Sequence, residues 1–196
     1  MALSLVLAMA FGLTACKKKE PKLTNDTSVS GTKKGPSWVT KCAGAFPDAG
    51  KDAFYGCGSM PMVENLQLQQ VSAESRVRKD LALAIDSNVS KFFSEYMDSA
   101  AVKEQTRQTG MTGPELTEFV AGITREVTID ALSQEKIAGR WRSPRDGTLF
   151  VLSKVSSDDV AASMAAHLRE RARQIGLPPD QAVTELALQL VQKRWK

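Results

Sequence analysis

Residues 64–96 read ENLQLQQVSAESRVRKDLALAIDSNVSKFFSEY, and the period of their apolar positions decides the fold. Leu66, Ala73, Val77, Leu81, Ile85, Val89, Phe92 and Tyr96 recur about every 3.6 residues, whereas Glu74, Arg76, Arg78, Lys79, Asp80 and Asp86 fall mostly elsewhere. The spacing predicts a long amphipathic helix that lays one stripe across a sheet. Immediately before it, Ala53–Met60 (AFYGCGSM) has the composition of a short strand, with Gly56 and Gly58 where another backbone can come close.

Further along, Glu135–Arg142 (EKIAGRWR) and Thr148–Val155 (TLFVLSKV) flank Ser-Pro-Arg-Asp-Gly at 143–147, which predicts a β-hairpin. Gly113-Pro114 restarts a helix over about 114–127 through Leu116, Phe119, Val120 and Ile123. Another helix follows Ser157-Asp158 with Val160, Met164, Leu168, Ala172 and Ile175 inward. A last one runs from Asp180 through Val183, Leu186, Leu190 and Val191 to Trp195. The expected fold is α+β: one strand plus a hairpin in a small antiparallel sheet, packed on the long helix, with additional C-terminal helices.

With 196 residues, 42% apolar, the chain has enough material for one core over 38–196. The net charge of +4 is local: Lys17, Lys18, Lys19, Lys22, Lys33, Lys34 and Lys41 outweigh Glu20 and Asp26, and the remainder is slightly acidic. That argues against nucleic acid as a partner.

Residues 1–15 read as a signal peptide: an apolar run too short to span a bilayer, closed by Leu13-Thr14-Ala15-Cys16 and then Lys17-Lys18-Lys19. The tetrapeptide resembles the lipobox of bacterial lipoproteins. By that resemblance Cys16 becomes the lipid-modified first residue of the mature chain, and lysine rather than aspartate after it resembles outer-membrane lipoproteins. Residues 16–37 are then the lipidated cysteine and a flexible tether rich in Ser, Thr, Lys, Gly and Pro, with a reach of roughly 25 Å. The acyl chains hold the protein to the membrane.

Of the three cysteines two remain, and in an oxidising compartment Cys42 and Cys57 are expected to form a disulfide. Their spacing is not that of a metal site, and no metal or cofactor is expected.

Taken in order, the lipobox, the tether, Pro36-Ser37-Trp38-Val39, the Phe54-Tyr55-Gly56-Cys57-Gly58-Ser59 strand, the long helix and the hairpin Arg140–Leu152 together resemble the LPP-twenty type of bacterial lipoprotein. The likeness covers about residues 36–156 and leaves the Cys42 to Cys57 segment and the final helix unmatched. It implies an outer-membrane or surface lipoprotein with a small α+β domain and no enzymatic activity, linked in some relatives to flagellar or surface assembly.

Among candidate binding residues, Arg140, Trp141 and Arg142 offer fork donors and a stacking face. Against that stands a plainer expectation: Trp141 in the core and the arginines on the solvated side of a half-covered sheet. Asp158 and Asp159 read as helix caps rather than ion ligands. His167, the one histidine, reads as a surface helix residue without a nucleophile beside it. Gly56-x-Gly58 lacks the third glycine and acidic partner of a dinucleotide loop. The expected role is a lipid-anchored, non-enzymatic envelope protein that engages a protein partner. A flagellar or envelope-assembly accessory factor and a peptidoglycan-modifying hydrolase are the alternatives, and the 180–195 helix packs on its own domain or on a second copy.

Overall fold

The computed structural model describes residues 35–97 and 113–174. The leader, Cys16, nearly all of the tether and the expected 180–195 helix lie outside the described residues. In chain order a single helical turn, α1 (Trp38–Lys41), continues into a 3-10 turn (Cys42–Ala45). Then come β1 (Ala53–Met60), α2 (Leu66–Met97), α3 (Gly113–Ser133), β2 (Lys136–Arg142), β3 (Leu149–Ser156) and α4 (Ser157–Gln174). The fold is α+β, as the periodicities predict. All three strands are antiparallel in the order β1-β3-β2, so the hairpin takes β1 on the far side of β3. In register, Gly58 faces Val151 and Trp141 faces Phe150.

β3 is central because it can bury both faces: Leu149, Val151 and Val155 point one way and Leu152 the other, and all four are buried. α2 covers the first face. Ala73, Val77 and Leu81 sit over the sheet, and Ile85, Val89, Phe92 and Phe93 pack beyond it with Ile123 and Val127 of α3 and Val160, Met164 and Leu168 of α4. At 32 residues, or roughly 48 Å at 1.5 Å per residue, α2 is longer than any strand, so one helix serves both the sheet and the helical layer.

Gly56 and Gly58 let α2 lie against β1 backbone to backbone. A Cβ at Gly58 would come within 2.6 Å of both the Ala73 carbonyl oxygen and the Val77 nitrogen, and one at Gly56 within 2.7 Å of the Leu81 nitrogen and the Val77 oxygen. The expected close approach is therefore made by a helix. The free edge of β1 is also served from α2: the Asp80 carboxylate accepts the Cys57 N–H (2.9 Å) and Arg76 donates to the Ser59 carbonyl (2.6 Å). Both contacts satisfy groups that would otherwise invite strand addition.

Several details depart from the sequence reading. Leu66 is 56% exposed, and the buried position of the first α2 turns is Gln69. α3 continues six residues past the expected 127, to Ser133. At the start of α4 the cap is the Ser156 hydroxyl, which accepts the Asp159 N–H at 3.1 Å, so Asp158 and Asp159 occupy the first turn and act on its partial positive charge. Among the described residues, no helix is long and apolar enough to cross a membrane.

Candidate functional site

Alternation along β2 sends Arg140 and Arg142 to one face of the sheet and Trp141 to the other. The expectation that the arginines form the solvated side is corrected here, because theirs is the face α2 covers. Arg140 donates to Glu74 of α2 through Nε (3.2 Å) and Nη2 (2.6 Å). Burial pushes the Glu74 carboxyl upward, but hydrogen bonds from Arg140 and Gln70 and the charges of Arg140 and Arg78 outweigh it and hold the group below the usual glutamate range. Arg142 donates to the Gln69 side-chain oxygen (2.5 Å) and the Gly147 carbonyl (3.1 Å).

Gln69 completes this lock. Its side-chain nitrogen lies 3.0–3.1 Å from the carbonyls of Met60, Pro61 and Gly147, so one buried amide fastens the β1–α2 connection to the hairpin turn. Gly147 adopts φ +70, and a side chain there would meet Met62. The two predicted cations are thus fixed by intramolecular partners, and Arg140, Trp141 and Arg142 do not converge on one surface.

Trp141 is 8% exposed and lies on the second face, tilted against Phe150 with ring centroids 5.5 Å apart. Gly35 rests on its ring, where a Cβ would come to 3.0 Å. The face is covered rather than bare: residues from Trp38 to Ala49 pack over Ala53, Tyr55, Leu152 and Ala138. Phe46 stacks on Tyr55 at 4.1 Å, and the Tyr55 hydroxyl donates to Asp48 at 2.9 Å. Burial, and after it the hydrogen bond and negative charge of Asp48, push the Tyr55 phenol well above its ordinary value.

The cover is held by the Cys42–Cys57 disulfide, which joins the end of α1 to β1. Cys42 sits at φ 46, a backbone region costly for a residue with a Cβ. Asp80 comes close enough to make Cys42, Cys57 and Asp80 look like a three-ligand cluster, but both sulfurs are joined to each other.

Beside the bridge lies an open groove of about 270 Å³, bounded by Trp38, Val39, Cys57, Ser59, Arg76 and Phe150. One aromatic ring from α1, one from β3 and a guanidinium from α2 meet at the edge of β1. Sequence reasoning missed this constellation, since its members are spread over more than a hundred residues.

His167 is not a lone surface residue. Its Nε2 lies 2.6 Å from Asp130 and its Nδ1 3.2 Å from Glu126, both on α3, and Arg171 donates to Glu126 at 2.5 Å. The network ties α4 to α3, away from the groove. Compared with known proteins, the chain matches no family model and no curated protein.

Proposed function

We propose that this chain is a lipid-anchored, non-enzymatic protein of a bacterial envelope, of the LPP-twenty type it resembles, and that it engages a protein partner through the groove beside the Cys42–Cys57 bridge. The observation that carries the anchoring is Leu13-Thr14-Ala15-Cys16 directly behind an apolar run and directly before three lysines. The described domain supports it from the other end. Gly35 and Trp38 are packed onto the sheet and the next element is bridged to β1, so a pull on the tether is taken up at the domain's entry. A disulfide at that position suits export.

The non-enzymatic part rests on where the polar groups go. The carboxyls of Glu74 and Asp146 are held below their ordinary range, the wrong direction for a general acid. His167 is occupied between two helices. The groove instead offers two aromatic rings and an arginine on a semi-apolar floor, the composition of a protein contact point.

Mass spectrometry of the protein purified from its native membrane tests the anchor. The expected result is a chain that begins at Cys16 with a thioether-linked diacylglyceryl group, and Cys16→Ala should accumulate unprocessed or soluble. An unmodified Cys16, or residues 1–15 retained, refutes the anchoring. For the groove, Phe150→Asp with Trp38→Ala should abolish in-cell crosslinks to envelope proteins while the lipid is kept. Crosslinks unchanged in that variant would overturn its role.

A further inference from the structure

Among the described residues six large apolar side chains are more than half exposed, and four of them fall together: Met62 (63%), Leu66 (56%), Leu68 (53%) and Val71 (58%). Asn65 accepts the Leu68 N–H at 3.0 Å and so caps α2, which places Leu66 and Leu68 in its first turn. Helical side chains lean toward the N-terminus, so these two lean toward the connection that holds Met62, with Val71 one turn behind. The groove beside the disulfide includes none of the four. Apolar surface gathered on one end of a domain marks a contact.

We propose that Met62, Leu66, Leu68 and Val71 form a tip through which the domain rests on a lipid surface. The proposal rests on the anchoring read from Cys16, and the place where the chain enters the domain selects this occupant. Gly35, the first described residue, lies on the Trp141 ring. Trp141 pairs with Phe150 one step from the end of the sheet, where Arg142 and Met60 both pair with Leu149 and the hairpin turn follows. That turn meets the tip: a side chain at Gly147 would strike Met62, and Gln69 gathers the carbonyls of Met60, Pro61 and Gly147.

The chain therefore leaves toward Cys16 from the end of the domain that carries the exposed side chains, and only residues 17–34 lie between. From that end α2 runs away for roughly 48 Å. A domain held by Cys16 thus has its apolar end, and not its helical layer, beside the point of attachment.

Charge and shape agree with a lipid surface. At the tip, Arg145 of the turn and the positive end of α2 stand against Glu64 and Asp146, and all three side chains are exposed. Neither sign is in clear excess, so the attraction belongs to the apolar side chains and does not require anionic lipid. A bilayer accepts such residues at the boundary of headgroups and acyl chains without a matching shape, whereas a protein partner has to supply a complementary surface.

The test uses protein purified from its native membrane. With Cys16 lipidated and Cys42 bridged to Cys57, Leu66→Cys supplies one free thiol for a bimane label, and Ile129→Cys, at an α3 position 61% exposed, is the reference. Each labelled protein is reconstituted with phosphatidylcholine vesicles containing brominated lipid. Flotation with the vesicles reports the anchor, and quenching by bromine reports the tip. Position 66 should be quenched about twofold or more beyond position 129, as expected for a residue seated about 5–10 Å into the headgroup boundary. Adding Leu68→Asp and Val71→Asp, both at exposed positions, should return position 66 to the reference level with flotation unchanged. Protein that floats with both labels quenched alike overturns the tip and leaves the anchor standing. Protein that fails to float overturns the anchor and the tip with it. A label at 66 shielded from aqueous iodide yet untouched by brominated lipid would assign the end to a protein contact and overturn the proposal.

Discussion

Replacing Gly58 with alanine tests the central packing contact of this fold. The added Cβ meets backbone, not a flexible side chain: the Ala73 carbonyl and the Val77 nitrogen both stand at 2.6 Å, and real Cβ atoms essentially never approach closer than 3.0 Å. Either α2 shifts outward by several tenths of an ångström along the turn it shares with β1, or β1 twists away from β3. Overpacking of this kind costs about 1–3 kcal/mol. Alanine also relieves the unfavourable chain entropy of a glycine in a strand, which returns roughly 0.5–1 kcal/mol. The expected net loss is about 1.5 kcal/mol, a fall in Tm of about 3–6 °C for a domain of this size. The contrast is Gly44→Ala, whose nearest foreign atom would be Lys41 Cβ at 4.0 Å, and whose expected change is neutral or slightly stabilising. Urea and thermal unfolding of oxidised protein, followed by far-UV circular dichroism, measure both. A Gly58→Ala variant as stable as Gly44→Ala would refute the idea that glycine is needed for helix and strand to touch.

Two further outcomes are expected. Cys57→Ser opens a bridge between positions 15 apart and should lower stability by about 3 kcal/mol, with reductant producing the same loss in the unmutated chain; equal melting points with and without reductant would contradict it. The Tyr55 phenol is raised in the folded state, so its contribution is whole below the ordinary tyrosine value near pH 10 and is lost as pH climbs through the raised value. Tyr55→Phe should therefore cost about 1 kcal/mol at neutral pH, through the lost bond to Asp48, and flatten the alkaline decline in stability. An unaltered pH profile above 10 would show that the phenol carries no such linkage.

The Cys42–Cys57 bridge gives the N-terminal cover an unusual status. Residues 35–50 contain no strand and only one α-helical and one 3-10 turn, yet they bury Tyr55 and Leu152 and complete the second side of the sheet. What fastens them is local and chemical: one covalent link, one aromatic stack and one tyrosine hydrogen bond. Loss of any one should loosen the groove bounded by Trp38 and Phe150 before it unfolds α2.

The sequence by itself determined the elements. Period 3.6 over 66–92 and the strand composition of 53–60 and 148–155 are properties each segment carries locally, and the hairpin and the single cysteine pairing were legible for the same reason. Only the tertiary structure decided how those faces meet. Leu66 satisfies the helical period and is exposed; Gln69 falls on the same stripe but is polar, and it is buried because the carbonyls of Met60, Pro61 and the distant Gly147 need a donor there. Arg140 and Arg142 read as solvent-facing cations until α2 arrives with Glu74 and Gln69, and His167 reads as a surface helix residue until α3 supplies two carboxylates. A polar side chain's place is fixed by partners far along the chain, so no window of sequence contains it.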